Sequence, residues 1–123
     1  MGIGPKIGLM VLALITTSGA TSTHRLVVVV AQPADPRAAR EHAWLSQDTA
    51  AMRERDVVFE DITPEAARRD RPELGVRSHV VFEVLLVGKD GGVKLRRDTP
   101  VAASEITALI DAMPMRQEEM RRR

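Results

Sequence analysis

Cysteine is absent from the 123-residue chain. No disulfide staples the fold, so its hydrophobic core must suffice alone. The same absence removes every thiol chemistry and any lipid attached through a lipoprotein cysteine. A charge excess is missing too. Lys and Arg number 18 against 17 Asp and Glu, and Lys6 is the only charge in the first twenty residues. The chain beyond residue 20 is therefore neutral, which speaks against a whole-domain nucleic-acid footprint. The first apolar run, Ile7 to Ile15, is about half the length that spans a bilayer. There are no internal repeats and no low-complexity segments.

Chemical motifs are equally scarce. Lys89 is followed by Asp90, and the loop around it leads into a strand pattern, so the phosphate-loop signature G-x-x-x-x-G-K-[ST] fails. A dinucleotide fingerprint fails likewise. His24, His42 and His79 lie in three different segments without metal-ligand spacing, so no metal is expected. No acid and base pair stands out by spacing. No cofactor and no catalytic residue is assigned on these grounds.

What is present begins with a leader. Lys6, the Ile7–Ile15 run and the small residues Ser18-Gly19-Ala20 have the order of a secretory signal peptide, residues 1–20. An uncleaved anchor is the rival reading. Residues 21–123 are expected to form one exported domain, periplasmic or extracellular, with no stable membrane span once the leader is cleaved.

Within that domain, "LVVVVA" (Leu26–Ala31) is apolar at every position, which predicts a strand buried on both faces. Asp35-Pro36 supplies an N-cap and a first helical position, and predicts one helix running to about Glu54. "DVVFEDI" (Asp56–Ile62) predicts a second, less buried strand. Thr63-Pro64-Glu65 opens a short helix that Arg71-Pro72 interrupts. "VVFEVLLVG" (Val80–Gly88) is a second continuous run, broken only by Glu83. "VKLRR" alternates as an edge strand does. Ile106, Leu109, Ile110 and Met113 fall at helical spacing, with Val101 placed to staple Ile106 and Pro114 to end the helix.

The resulting β-α-β-(α)-β-β-α order predicts an α/β fold: a four-stranded mixed sheet in the order 2-1-3-4 with flanking helices, arranged like thioredoxin. Asp90-Gly91 is read as the hairpin turn, with both central positions at positive φ. A thioredoxin-type thiol would stand at the end of strand one, where this chain has "AQPADP", and no proline precedes strand three.

Two C-terminal motifs are distinctive: Leu86-Val87-Gly88-Lys89-Asp90-Gly91-Gly92-Val93-Lys94, and Ile110-Asp111-Ala112-Met113-Pro114-Met115-Arg116 followed by Glu119-Met120. On these the chain resembles the P-DUDES family, the domain of unknown function 4174. The front half, from Arg25 to Ile62, fits the same pattern more loosely. The resemblance implies an exported thioredoxin-like domain, of a kind found in secreted animal matrix and sushi-repeat proteins, and it implies no catalytic activity.

Topology brings the two motifs to one end of the sheet. The candidate cluster is Lys89, Asp90, Gly91, Lys94, Asp111, Met113, Pro114, Met115 and Arg116. Asp111 is placed to meet Lys89 or Arg116, and Asp90 to meet Arg116. Methionines beside a proline and an arginine are suited either to binding or to covering the sheet edge. Two functions follow as expectations. One is a non-catalytic binding or interaction module for a protein or small ligand. The other is an enzyme, not thiol-based, using Lys89, Asp90 or Asp111, which would require those side chains to share a concave site.

Overall fold

The computed structural model describes residues 22–123. The expected leader, residues 1–20, lies outside the described residues. The all-apolar run becomes β1 (Arg25–Ala31), buried along its whole length. Chain order then gives α1 (Pro36–Ser46), α2 (Thr49–Glu54), β2 (Val57–Ile62), α3 (Pro64–Asp70), a short 3-10 turn (Pro72–Leu74), β3 (Phe82–Val87), β4 (Val93–Arg97), α4 (Ala103–Asp111) and α5 (Pro114–Arg121). The sheet order is β2-β1-β3-β4, as expected. β1 and β2 are parallel, and β3 runs antiparallel to both β1 and β4.

Period-two alternation divides the central strands between two cores. Val27, Val29, Phe82, Val84 and Leu86 pack with Leu45, Met52, Ile106 and Ile110 from the helices and with Val101 just before α4. Leu26, Val28, Val30, Leu85 and Val87 face Ala67, Leu74 and Val76 on the other side. Each fully buried Val or Leu side chain contributes roughly 1.5–3 kcal/mol. Two such layers sharing one sheet are how a chain without disulfides reaches sufficient burial. The outer strands are less covered, β2 being only half-buried along most of its length.

Local signals account for most boundaries. Asp35 caps α1 by accepting from the Arg37 N–H at 2.9 Å, and Thr63 caps α3 by accepting from the Ala66 N–H at 3.2 Å. Val101 and Ile106 are both buried on either side of the Ala102 N-cap, the geometry of a hydrophobic staple.

Four expectations need correction. The single helix to Glu54 is two. The Ser46 hydroxyl donates back to the His42 and Ala43 carbonyls, Thr49 Oγ1 donates to the Ser46 carbonyl, and Asp48 leaves helical dihedrals at φ −137°, ψ 52°. Such side-chain bonds compete with the helical ladder. The break lets Leu45 and Met52 both reach the core. Second, Pro114 does more than follow α4: it opens α5, where its missing N–H costs nothing at a first helical position. Third, β3 starts at Phe82 and leaves Val80 and Val81 outside the strand. Fourth, the hairpin turn is centred on Lys89-Asp90. The Gly91 N–H donates to Gly88 O at 2.9 Å, the Gly88 N–H donates to Gly92 O at 2.8 Å, and Gly91 alone takes positive φ, 85°. This is a three-residue loop closed by a left-handed glycine.

Candidate functional site

One end of the sheet is built from charges. Arg25 is the first residue of β1, and its guanidinium is 1% exposed. It donates to the Arg55 carbonyl at 2.9 Å and, through both terminal nitrogens, to the Glu119 carboxylate at 3.3 Å. Lys89, at the hairpin tip, donates to the same carboxylate at 2.7 Å and to Asp56 at 2.8 Å. Asp56 stands at φ 58° where the chain turns into β2, and its carbonyl receives the Arg25 N–H at 2.8 Å.

The second half of the cluster centres on Asp111, the last residue of α4. It receives Arg55 Nε and Nη2 at 3.0 and 2.9 Å, and Arg116 Nε at 3.2 Å. Arg116, also 1% exposed, is the one buried residue of α5. It reaches Glu54 Oε2 at 3.2 Å and lies 3.7 Å from Glu119. Glu119 therefore joins the hairpin half to the helix half.

The two motifs thus meet, through partners that the motifs do not all contain. Asp111 pairs with Arg116 and not with Lys89. Asp90 does not meet Arg116: its carboxylate accepts from the Gly92 N–H at 2.9 Å and from Lys94 at 2.9 Å, which keeps both within the hairpin. Gly91 shapes the turn. Met113 packs half-buried against the core, Pro114 starts α5, and Met115 is exposed. The charges missed by sequence reasoning are Arg25, Glu54, Arg55, Asp56 and Glu119. Two carried a signal. A cation opening a fully buried strand needs a partner, and Glu119 lies one turn from Arg116, on the same helix face.

Electrostatically the cluster is nearly saturated, with the buried Arg25 Nε left without a hydrogen-bond partner. Hydrogen bonds from Arg55 foremost, and from Arg116, hold the Asp111 carboxyl below its usual range, against the opposing effect of burial. Burial works to raise Glu119, yet the bonds from Lys89 and Arg25 outweigh it and lower it. The Arg116 hydrogen bond, with a further one from Arg123, lowers Glu54. The Gly92 N–H and then Lys94 lower Asp90. These carboxylates are held ionised and serve poorly as general acids. The Lys89 ammonium donates to two carboxylates, an arrangement for anchoring and not for nucleophilic attack.

The opposite end of the sheet differs. β3 is antiparallel to β1, so Phe82 lies beside Ala31, six residues along β1 from Arg25. There a cavity of about 500 Å³ is lined by Arg37, His79–Glu83 and Arg96–Asp98. The Arg37 guanidinium sits 4.8 Å from the Phe82 ring centroid while it pairs with Asp35. One turn behind it on α1, Glu41 is fully buried. Its Oε1 accepts the Val101 N–H at 2.6 Å, and Oε2 has no partner among the described residues. Burial raises the Glu41 carboxyl, with the Val101 bond and His42 opposing it. None of Lys89, Asp90 and Asp111 lines this cavity.

Among the described residues no group of three or more His, Asp and Glu side chains is arranged to hold a metal ion, and no helix is long and apolar enough to cross a membrane. A search of curated proteins finds no match. The family comparison does: the model described as Domain of unknown function (DUF4174) matches residues 18–119, and the chain belongs to that family.

Proposed function

We propose that this chain is an exported, thioredoxin-like binding module without catalytic activity, whose charge cluster fastens the C-terminal helix and whose ligand contacts lie at the cavity end. One observation carries this reading: Lys89, Asp90 and Asp111, the side chains that an enzyme would use, are each held by other charged partners, far along the sheet from the cavity. Export is supported by the leader pattern around Lys6, Ile7–Ile15 and Ser18-Gly19-Ala20. The thioredoxin-like reading is supported by the sheet order with helices on both faces. The lack of cysteine removes the redox use of such a fold.

The test is an isotope-labelled sample of the protein, purified after expression from the full coding sequence and titrated with mixed peptide and small-metabolite libraries. The reading predicts saturable amide shifts around residues 79–83 and 96–98 with no conversion of any component. Turnover that disappears in Lys89→Met or Asp111→Asn, each checked to be folded, would establish the enzyme instead.

A further inference from the structure

The cavity exists because a central strand loses one of its neighbours early. β1 pairs with all of β3, from Phe82 to Val87. β4 pairs only with Val84, Leu85, Leu86 and Val87, and its last partner is Arg97 opposite Val84. Asp98 and Thr99 then bend away toward Pro100, and Val101 buries at the start of α4. Phe82 and Glu83 are left with a strand partner on one side only. The vacated place is the cavity, walled by His79–Glu83 and by Arg96–Asp98. An interior strand with an unpaired edge is a template for another backbone, here reached through the cavity because Phe82 and Glu83 are themselves buried. Val81, at the lip of this opening, is 62% exposed, more than any other large hydrophobic among the described residues.

The charges around the opening select the occupant. Arg37 is satisfied by Asp35, Arg96 and Glu83 satisfy each other at 2.9 Å, and Arg97 donates to Glu105 at 2.6 Å. Asp98 alone of the Asp, Glu and Arg lining residues has no hydrogen bond or ion pair among the described residues, and its charge is felt by the Arg37 guanidinium across the opening without a direct contact. A carboxylate left over on a wall of paired charges is complementary to one cation.

We propose that the cavity is a docking site for an extended peptide segment of a partner protein, which adds as a short strand beside Phe82 and Glu83 and carries one Lys or Arg against Asp98. Main-chain hydrogen bonds supply the general affinity, Val81 covers an apolar side chain of the segment, and Asp98 sets the charge preference. This proposal rests on the reading of the domain as a binding module.

The experiment is selection from a random library of capped heptapeptides on the protein purified after expression from the full coding sequence, repeated on Asp98→Lys. The wild type is expected to enrich Lys or Arg at one fixed position, and Asp98→Lys to enrich Asp or Glu there. The selected peptide should shift the amides of Val80–Glu83. Backbone N-methylation of the peptide should weaken it by about tenfold or more, and Asp98→Asn should weaken it roughly three- to fivefold. A flat pool overturns the proposal. So does a pool unchanged by the charge reversal, or a peptide indifferent to N-methylation. Peptides that instead shift Lys89 and Arg116 overturn the site and leave the binding-module reading standing. An enzyme, by contrast, would appear as turnover in the metabolite screen.

Discussion

The two ends of the sheet use charge in opposite ways. At the Arg25 end, cations and carboxylates from six parts of the chain meet: the start of β1, α2 and its end, the turn into β2, the hairpin tip, the end of α4, and α5. Nearly every group there has a partner, and the acids are held ionised. At the cavity end burial raises the carboxyl of one acid, Glu41, a second acid, Asp98, stands without a hydrogen bond or ion pair, and a central strand lacks a partner along part of one edge. Under the proposed binding role, the contrast separates the groups that stabilise the fold from those left for recognition. A cluster in which all but one buried nitrogen is paired holds an element in place and offers little to a ligand. Unmet polar groups around a cavity weaken the fold slightly and leave interactions for a partner to complete.

The difference can be broken most strongly at Arg25. Arg25→Ala strips the cluster of its buried guanidinium, leaves the Arg55 carbonyl without its donor, and costs about 2–3 kcal/mol of unfolding free energy by urea titration. Glu119→Gln removes the shared acceptor of Arg25 and Lys89. Because α5 buries no apolar residue, the variant should lose roughly 1–2 kcal/mol. It should raise amide hydrogen exchange across residues 115–121 while β1 and β3 stay protected. Gly91→Ala has open space around it but a φ of 85°, so backbone strain alone should cost about 1 kcal/mol. The smallest effect belongs to Asp98→Ala at the cavity end. Exposed and unpaired, it should change stability by less than about 0.5 kcal/mol, while the same change weakens the selected peptide. A loss of several kcal/mol there would mean that the cavity end is as structural as the cluster.

Much of the fold was legible because β1 and β3 are apolar at nearly every position, which forces them to the centre, and because Asp35-Pro36 is a clear helix start, with Thr63-Pro64 a weaker one in a polar segment. What was illegible depended on competition or on distance. Ser46 and Thr49 break a helix through side-chain bonds that periodicity does not register. Pro114 reads as a stop, and only the turn after Asp111 makes it a start. Topology brings the two motifs to one end of the sheet, yet the hub, Glu119, quoted in the motif and one turn from Arg116, is absent from the candidate cluster. The hub depends on α5 folding back over Arg25, far away in sequence. The burial of Glu41 was equally hidden, because the Val101 N–H that its carboxylate accepts lies sixty residues away in sequence. The open edge of β3 was invisible because it is set by the residue at which β4 turns away.

Unfolding free energy measured against pH on the wild type, Glu119→Gln and Glu41→Gln tests the contrast most directly. Glu119 has a folded pKa below its unfolded value, so its contribution is complete above the ordinary carboxylate range and is lost as pH falls through the folded value. Glu41 has a folded pKa above its unfolded value, so its contribution is complete below the ordinary range and is lost as pH rises through the folded value. The account predicts that Glu119→Gln flattens the acid limb of the wild-type curve and Glu41→Gln flattens the limb above the ordinary carboxylate range. Two variants whose curves run parallel to the wild type on both limbs would contradict it.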